Sequence, residues 1–358
     1  AISASPGVAR SAASSRNMVR PFVCLALVGL AFAVSPALFY YFMSWRFRWR
    51  NRLPPDQEMW PGASTLTNVS GLPSPRLITT NQVRKLRDGS FDHRPSDLWV
   101  VAYPKSGTTW LQLTVASLLG HTIGGVREGE QKVYCPWPEL GTGGLASSME
   151  ELRARPSPRC LKSHWPAVHH LDPRIRRGRV VFIMRNVVDV AVSYYHHYLD
   201  GHLLFDFYGS WDEWFDLFIK GNMGSGSYFS YIASWWPHKD DPDVLWLRYE
   251  EATQDRIALV QKTAEFMGQR ELPDERLQRV LNVTSFASIA ALEDTSWGWL
   301  LRFAGLRRNK RARDKSLSHS KIGPSAAQRA ALEAEYERVL APLGVPRDWV
   351  IPSVQQKK

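Results

Sequence analysis

The chain is 358 residues long, with 44% hydrophobic residues and 15 tryptophans, enough apolar material for a sizeable core and too much for wholesale disorder. Lysine and arginine number 45 against 34 acids, a formal net charge of +11, which suits polyanionic ligands, an anionic membrane face or nucleic acid. No aromatic-interleaved basic stripe or nucleic-acid motif accompanies that charge, so no nucleic-acid partner is expected. Cys24, Cys135 and Cys160 fit neither a zinc site nor a disulfide framework, which favours a reducing compartment.

Residues 1–20 read as an N-terminal leader, rich in Ala and Ser, with Met18 as an alternative start. From Pro21 to Trp45 there is no charged residue, and at about 1.5 Å per residue such a helix crosses a ~30 Å hydrocarbon core. Residues 21–45 are therefore expected to be a transmembrane anchor, with Tyr40, Tyr41 and Trp45 at one interface. Ala31-Phe32-Ala33 is similar to a signal-peptide cleavage box, but the apolar run continues past it. Arg16 and Arg20 precede the run, whereas Arg46, Arg48, Arg50 and Arg52 follow it. The charge bias predicts a single-pass membrane protein with its main domain on the cytoplasmic side, a Golgi-lumenal orientation being the alternative. Residues 46–90, with five prolines, read as a juxtamembrane linker; residues 91–345 form the main domain and 346–358 a C-terminal tail.

The domain opens on Leu98-Trp99-Val100-Val101-Ala102, an apolar run that reads as a buried strand. Pro104 ends it, Gly107 allows a tight turn, and Leu111 to Leu119 continue as a mostly apolar helix. A strand, a small-residue loop holding Lys105, and a helix start make an anion cradle. Backbone N–H groups there point at the anion, and Ser106, Thr108 and Thr109 add hydroxyl donors. Lys132 to Glu139 is a proline-broken aromatic segment, read as a loop and one wall of an acceptor pocket. Arg159 to Pro166 is a short extended run ending at Lys162-Ser163-His164. Strands are predicted over Gly178–Asn186 and Val244–Glu250, each followed by a helix. Apolar strands alternating with helices predict an α/β fold: a P-loop-like parallel sheet flanked by helices on both faces, in a single domain. Ligands in such sheets bind at the carboxyl ends of the strands, where the cradle, Arg185 and Tyr249 fall. Arg185 and, two turns into the next helix, Ser193 converge on a position suited to a phosphate. His169, His170, His196 and His197 have no catalytic context and are expected to be structural.

Pro104-Lys105-Ser106-Gly107-Thr108-Thr109-Trp110 departs from the nucleotide P-loop, in which the lysine follows the second glycine. It resembles instead the 5′-phosphosulfate-binding loop of the cytosolic sulfotransferase family. Lys162-Ser163-His164 is similar to that family's Lys-Thr-His element, and Arg185 to Tyr195 resembles its 3′-phosphate-binding element. Gly209 to Trp214, Trp235-Trp236, Leu247 to Glu251 and Thr284-Ser285-Phe286 look like further landmarks in family order. The resemblance implies transfer of a sulfuryl group from 3′-phosphoadenosine 5′-phosphosulfate to a hydroxyl or amine of a small, apolar acceptor such as a phenol, steroid or lipid alcohol. It implies His164 as general base, with Lys105 and Lys162 stabilising charge on the transferring oxygens. Lys105, Ser106, Gly107, Thr108 and Thr109 would hold the 5′-phosphate, and Arg185 and Ser193 the 3′-phosphate. Trp110 and Phe286 would flank the adenine with Tyr249 and Thr284 nearby, and no metal is required. The likeness weakens at the family's final Arg-Lys-Gly-x-x-Gly-Asp-Trp element, where this chain has Ser318-His319-Ser320-Lys321-Ile322-Gly323-Pro324. Arg307 to Lys315 supply basic residues nearby, and the oligomeric state stays open. Three alternatives remain: a nucleotide kinase, a membrane-tethered nucleotide-binding protein without transferase activity, and a lumenal carbohydrate sulfotransferase.

Overall fold

Alternation decides the architecture. Along the strand Leu98–Val101 and just beyond it, Trp99, Val101 and Tyr103 join one apolar cluster, while Leu98, Val100 and Ala102 join another. The strand Arg179–Met184 divides in the same way, with Phe182 and Met184 on one side and Val181 and Ile183 on the other. Side chains of successive strand residues point to opposite faces, so a run that is apolar throughout forces both faces of the sheet to be covered.

The computed structural model describes residues 58–60, 63–75, 78, 80–121, 135–140, 149–170, 178–200, 207–289 and 322–353. In chain order the strands are β1 (Glu58–Trp60), β2 (Ala63–Val69), β3 (Leu72–Pro75), β4 (Leu98–Val101), β5 (Cys160–Ser163), β6 (Arg179–Met184) and β7 (Val244–Arg248). The helices are α1 (Thr80–Arg87), α2 (Thr108–Leu118), α3 (Met149–Ala154), α4 (Ala167–His170), α5 (Val187–Asp200), α6 (Trp211–Ile219), α7 (Tyr228–Trp235), α8 (Tyr249–Gln254), α9 (Arg256–Phe266), α10 (Asp274–Val283), α11 (Ala326–Val339) and α12 (Arg347–Val350). Four parallel strands form the main sheet in the order β5-β4-β6-β7. Leu111 and Val115 of α2 and Leu259 of α9 pack on one face; Val190 of α5, Trp214 of α6, Phe229 of α7 and Leu332 of α11 pack toward the other. The expected α/β class holds. The stretch 46–90, read from sequence as a linker, carries a second sheet in which β2 pairs antiparallel with both β1 and β3.

The membrane expectation is corrected. Residues 21–45 lie outside the described residues, and among the described residues no helix is long and apolar enough to cross a membrane. Neither the single-pass anchor nor the cytoplasmic or lumenal placement built on it is carried further.

At the base of the sheet Arg159 and Asp97, both with side chains 0% exposed, form a two-pronged ion pair. Arg159 Nε donates to Oδ1 at 2.8 Å and Nη2 to Oδ2 at 2.6 Å. The guanidinium also donates to the Leu152 carbonyl at 3.0 Å, and Asp97 Oδ2 accepts from the Arg94 backbone N–H at 3.0 Å. Because Asp97 precedes β4 and Arg159 precedes β5, the pair fixes where these strands start. Removing one partner strands a buried charge, so Asp97→Ala should lower the unfolding free energy by ~3–5 kcal/mol. The check is the urea midpoint, and an unchanged midpoint would show that the pair does not hold the strands.

Candidate functional site

The loop after β4 has the backbone of an anion cradle. Lys105 adopts a positive φ of 71°, uncommon for a residue with a Cβ, and Gly107 follows with φ 102°. A Cβ on Gly107 would lie 2.7 Å from Tyr249 Cδ2, so only glycine lets the loop pass beneath that ring. Gly107 caps α2 without a side-chain hydrogen bond, leaving the first-turn N–H groups for a ligand. The Ser106 and Thr108 hydroxyls are buried and have no hydrogen-bond partner among the described residues. Buried donors left unpaired are costly, and a bound phosphate would satisfy both. Thr109 is exposed on the outer side of the same turn, and Lys105 is half-buried.

Parallel pairing brings β5 alongside, with Val101 opposite Ser163, so Lys162 and His164 emerge beside the cradle. His164 is 7% exposed, and its Nδ1 lies 2.6 Å from the Ala102 carbonyl. A carbonyl only accepts, so Nδ1 carries the proton and Nε2 keeps the lone pair. Burial, reinforced by the charges of Lys162 and Lys105, holds the imidazole well below its ordinary pKa. Burial also pulls Lys162 down to about 8, against the opposing pull of Glu139, with Lys105 lowering it further. Lys162 Nζ sits 4.4 Å above the Trp137 ring, and that ring meets His164 edge-on at 5.0 Å. Lys105 and Lys162 are thus near enough to His164 to lower its affinity for a proton.

From β6, Arg185 stacks over Tyr249 at 4.4 Å and donates to the Lys105 carbonyl at 3.3 Å. It also pairs with Asp189 at 3.2 Å, while its Nε is buried without a hydrogen-bond partner among the described residues. Ser193 lies on α5, half-buried and not hydrogen-bonded to Arg185. Trp110 meets Tyr249 edge-on at 5.8 Å. The remaining two residues are not gathered in: the Thr284 hydroxyl donates to the Val280 carbonyl at 2.7 Å, and Phe286 is 55% exposed with no ring contact to Trp110. Lys321 and the basic residues 307–315 lie outside the described residues.

Several supports escaped sequence reading. Asn186 is held to Glu250 Oε1 through its backbone N–H at 2.9 Å and Nδ2 at 2.7 Å, and the Tyr228 hydroxyl donates to the Arg185 carbonyl at 2.7 Å. A disulfide joins Cys135 to Cys160, with Cα atoms 4.6 Å apart. From sequence the cysteines fit no disulfide framework; the structure corrects this, and the compartment inferred from free thiols is withdrawn. His170 is a core residue, edge-on to Trp99 at 4.9 Å. Among the described residues no group of three or more His, Cys, Asp or Glu side chains is placed to hold a metal ion.

Residues 95–321 match the family model described as Sulfotransferase domain. The chain is 36% identical over 203 residues to Sulfotransferase 1B1 of Canis lupus familiaris, covering 55% of this chain and 67% of that protein. It is 34% identical over 234 residues to Sulfotransferase 1C2 of Oryctolagus cuniculus, covering 63% and 76%. Among solved structures, mouse sulfotransferase SULT7A1 complexed with PAP shares the fold at a TM-score of 0.59 and 23% identity, over 78% of this chain and 96% of that one. Retinol dehydratase in complex with retinol and PAP does so at 0.58 and 18%, over 76% and 89%. With more than half its length matched by the family model and with relatives above 30% identity, the chain belongs to the sulfotransferase family and is a sulfotransferase dependent on 3′-phosphoadenosine 5′-phosphosulfate.

Proposed function

We propose that this enzyme sulfonates a hydroxyl or amine of a small apolar acceptor, with His164 as general base and Lys105 and Lys162 as the charge-stabilising pair. The observation that carries the reading is the free Nε2 of His164, fixed by the Nδ1 bond to Ala102, beside two lysines and an uncapped helix start. When bound, the donor supplies the sulfuryl group and a phosphate leaving group. Lys105, Ser106, Gly107, Thr108 and Thr109 hold the 5′-phosphate; Arg185 and Ser193 hold the 3′-phosphate; Trp110 and Tyr249 form the adenine end. His164 Nε2 takes the acceptor proton as the acceptor oxygen or nitrogen bonds to sulfur and the sulfur–phosphate oxygen bond breaks. Lys105 and Lys162 lie where negative charge grows on the oxygens, and fixed positive charge in a part-buried site is worth more than in water. Trp137 gives the acceptor an apolar wall, a face suited to compounds such as the retinol bound in the structural neighbour.

Transfer of radiolabel from the donor to a panel of phenols, steroids and fatty alcohols tests the reading; no transfer to any of them would overturn it. His164→Ala should lower kcat by ~10²–10⁴-fold, the usual worth of a positioned base, while binding of 3′-phosphoadenosine 5′-phosphate measured by calorimetry stays within a few-fold. The pH profile follows from the shifts. The base works when unprotonated and its pKa is depressed, so activity should persist until the pH falls well below 6.5. Lys162 works when charged, so activity should decline as the pH rises through about 8. Gly107→Ala forces a Cβ into Tyr249 at a positive φ and should weaken 3′-phosphoadenosine 5′-phosphate binding by tenfold or more, about 1.4 kcal/mol.

A further inference from the structure

Behind Lys162 and His164 lies an acid that the mechanism above does not use. Glu139 is 1% exposed in the segment Cys135–Leu140. Its Oε1 accepts a hydrogen bond from the Ser163 hydroxyl, and its Oε2 has no hydrogen-bond partner among the described residues. The Ser163 oxygen in turn accepts from the Trp165 backbone N–H at 3.1 Å. Through the Ser163 hydroxyl, the carboxyl is thus linked to the chain on both sides of His164. The same segment is fastened to β5 by the Cys135–Cys160 bridge, by Lys162 N–H donating to the Pro136 carbonyl at 2.8 Å, and by the Trp137 face over the Lys162 ammonium. On its far side Gln82 Nε2 donates to the Pro138 carbonyl at 2.9 Å.

We propose that Glu139 is a positioning residue for sulfuryl transfer, orienting His164 through Ser163 and acting as the buried counter-charge that keeps Lys162 an ammonium. The proposal rests on the roles assigned above to Lys162 and His164. A carboxyl needed only to hold Ser163 would be served by a neutral amide; a buried Oε2 with no partner among the described residues, on the segment whose Trp137 covers Lys162, makes sense when the negative charge itself is used. The charged and titratable groups facing this pair are Lys162 from β5, Tyr231 from α7, whose ionisation Glu139 disfavours, and Lys105, which acts on Lys162 from the cradle. Burial pushes Glu139 up to about 7, with Ser163 and Lys162 pulling the other way. Glu139 in turn raises Lys162, which burial has lowered to about 8. Between about pH 7 and 8 the two thus stand as carboxylate and ammonium.

Glu139→Gln keeps the oxygen that Ser163 needs and removes the charge. The rate at which acetic anhydride modifies Lys162, followed by peptide mass spectrometry from pH 6 to 10, reports the lysine's titration without requiring turnover. The midpoint should fall by up to ~1 pH unit in Glu139→Gln, making Lys162 a few-fold more reactive between about pH 7 and 8, with the two rates converging at lower pH, where the native carboxyl is itself protonated. In turnover, kcat/KM of the variant and of the native enzyme should converge below pH 7, where the carboxyl is protonated in any case, and diverge above it. Equal midpoints, or a loss of activity uniform across pH, would overturn the proposal and leave Glu139 a packing residue. Absence of transfer by the native enzyme would instead strike the proposed function, while the modification midpoints would still decide this one. Binding of 3′-phosphoadenosine 5′-phosphate serves as the folding control. Should Glu139→Gln fail it, Ser163→Ala carries the test: without the hydroxyl donor Glu139 protonates more readily, so the Lys162 midpoint should again fall, and Ser163→Thr should restore it.

Discussion

The placement of β4 between β5 and β6 governs the rest. Both pairings are parallel, and Val101 stands opposite Ser163 on one side and Phe182 on the other. The strands consequently end at the same level, and the residues just past those ends (Lys105, His164 and Arg185) meet over one opening. A slip of one residue in either pairing would turn the slipped strand's side chains to the opposite face, and in the β4–β5 pairing would turn Lys162 away from the cleft. Two-sided burial prevents that slip: Val100, Val101, Val181 and Phe182 are all fully enclosed, and each such side chain contributes about 1.5–3 kcal/mol relative to exposure.

On that frame the protein gathers positive charge where it is least comfortable. Lys105, Lys162 and Arg185 surround a helix start that already favours anions, and burial weakens the hold of Lys162 on its proton. Such crowding is tolerable when a polyanionic ligand completes it. The hydroxyls of Ser106 and Thr108 and the Nε of Arg185, without partners among the described residues, and the positive φ at Lys105 are the structural trace of that arrangement, local strain kept at a functional site.

Much of this was legible beforehand, for reasons that can be located. The central strands are continuous apolar runs, which leave little freedom of interpretation, and the cradle declares itself because proline, lysine, small hydroxyls and a glycine follow such a run directly. Less visible was whatever depends on partners far along the chain. The order β5-β4-β6-β7 joins segments tens of residues apart, the antiparallel β1–β3 sheet lay in a proline-dotted stretch that resembles a linker, and the Cys135–Cys160 contact spans a separation of 25 residues. Glu139 looked like one acid among prolines, since nothing local announces that Ser163 will fold against it. Thr284 shows the opposite situation: a hydroxyl expected by family likeness near the nucleotide donates within its own helix, to the Val280 carbonyl. Phe286, likewise expected beside the adenine, stands open to solvent.

The bridge between Cys135 and Cys160 encloses everything from Pro136 to Arg159 in a covalent ring. A peptide bond cut inside that ring opens it without dividing the molecule: the cradle and α2 would stay attached to β5 through sulfur. The two fragments would part only when a thiol reductant was added, so the integrity of the catalytic cleft and the continuity of the polypeptide are, over this stretch, separate properties.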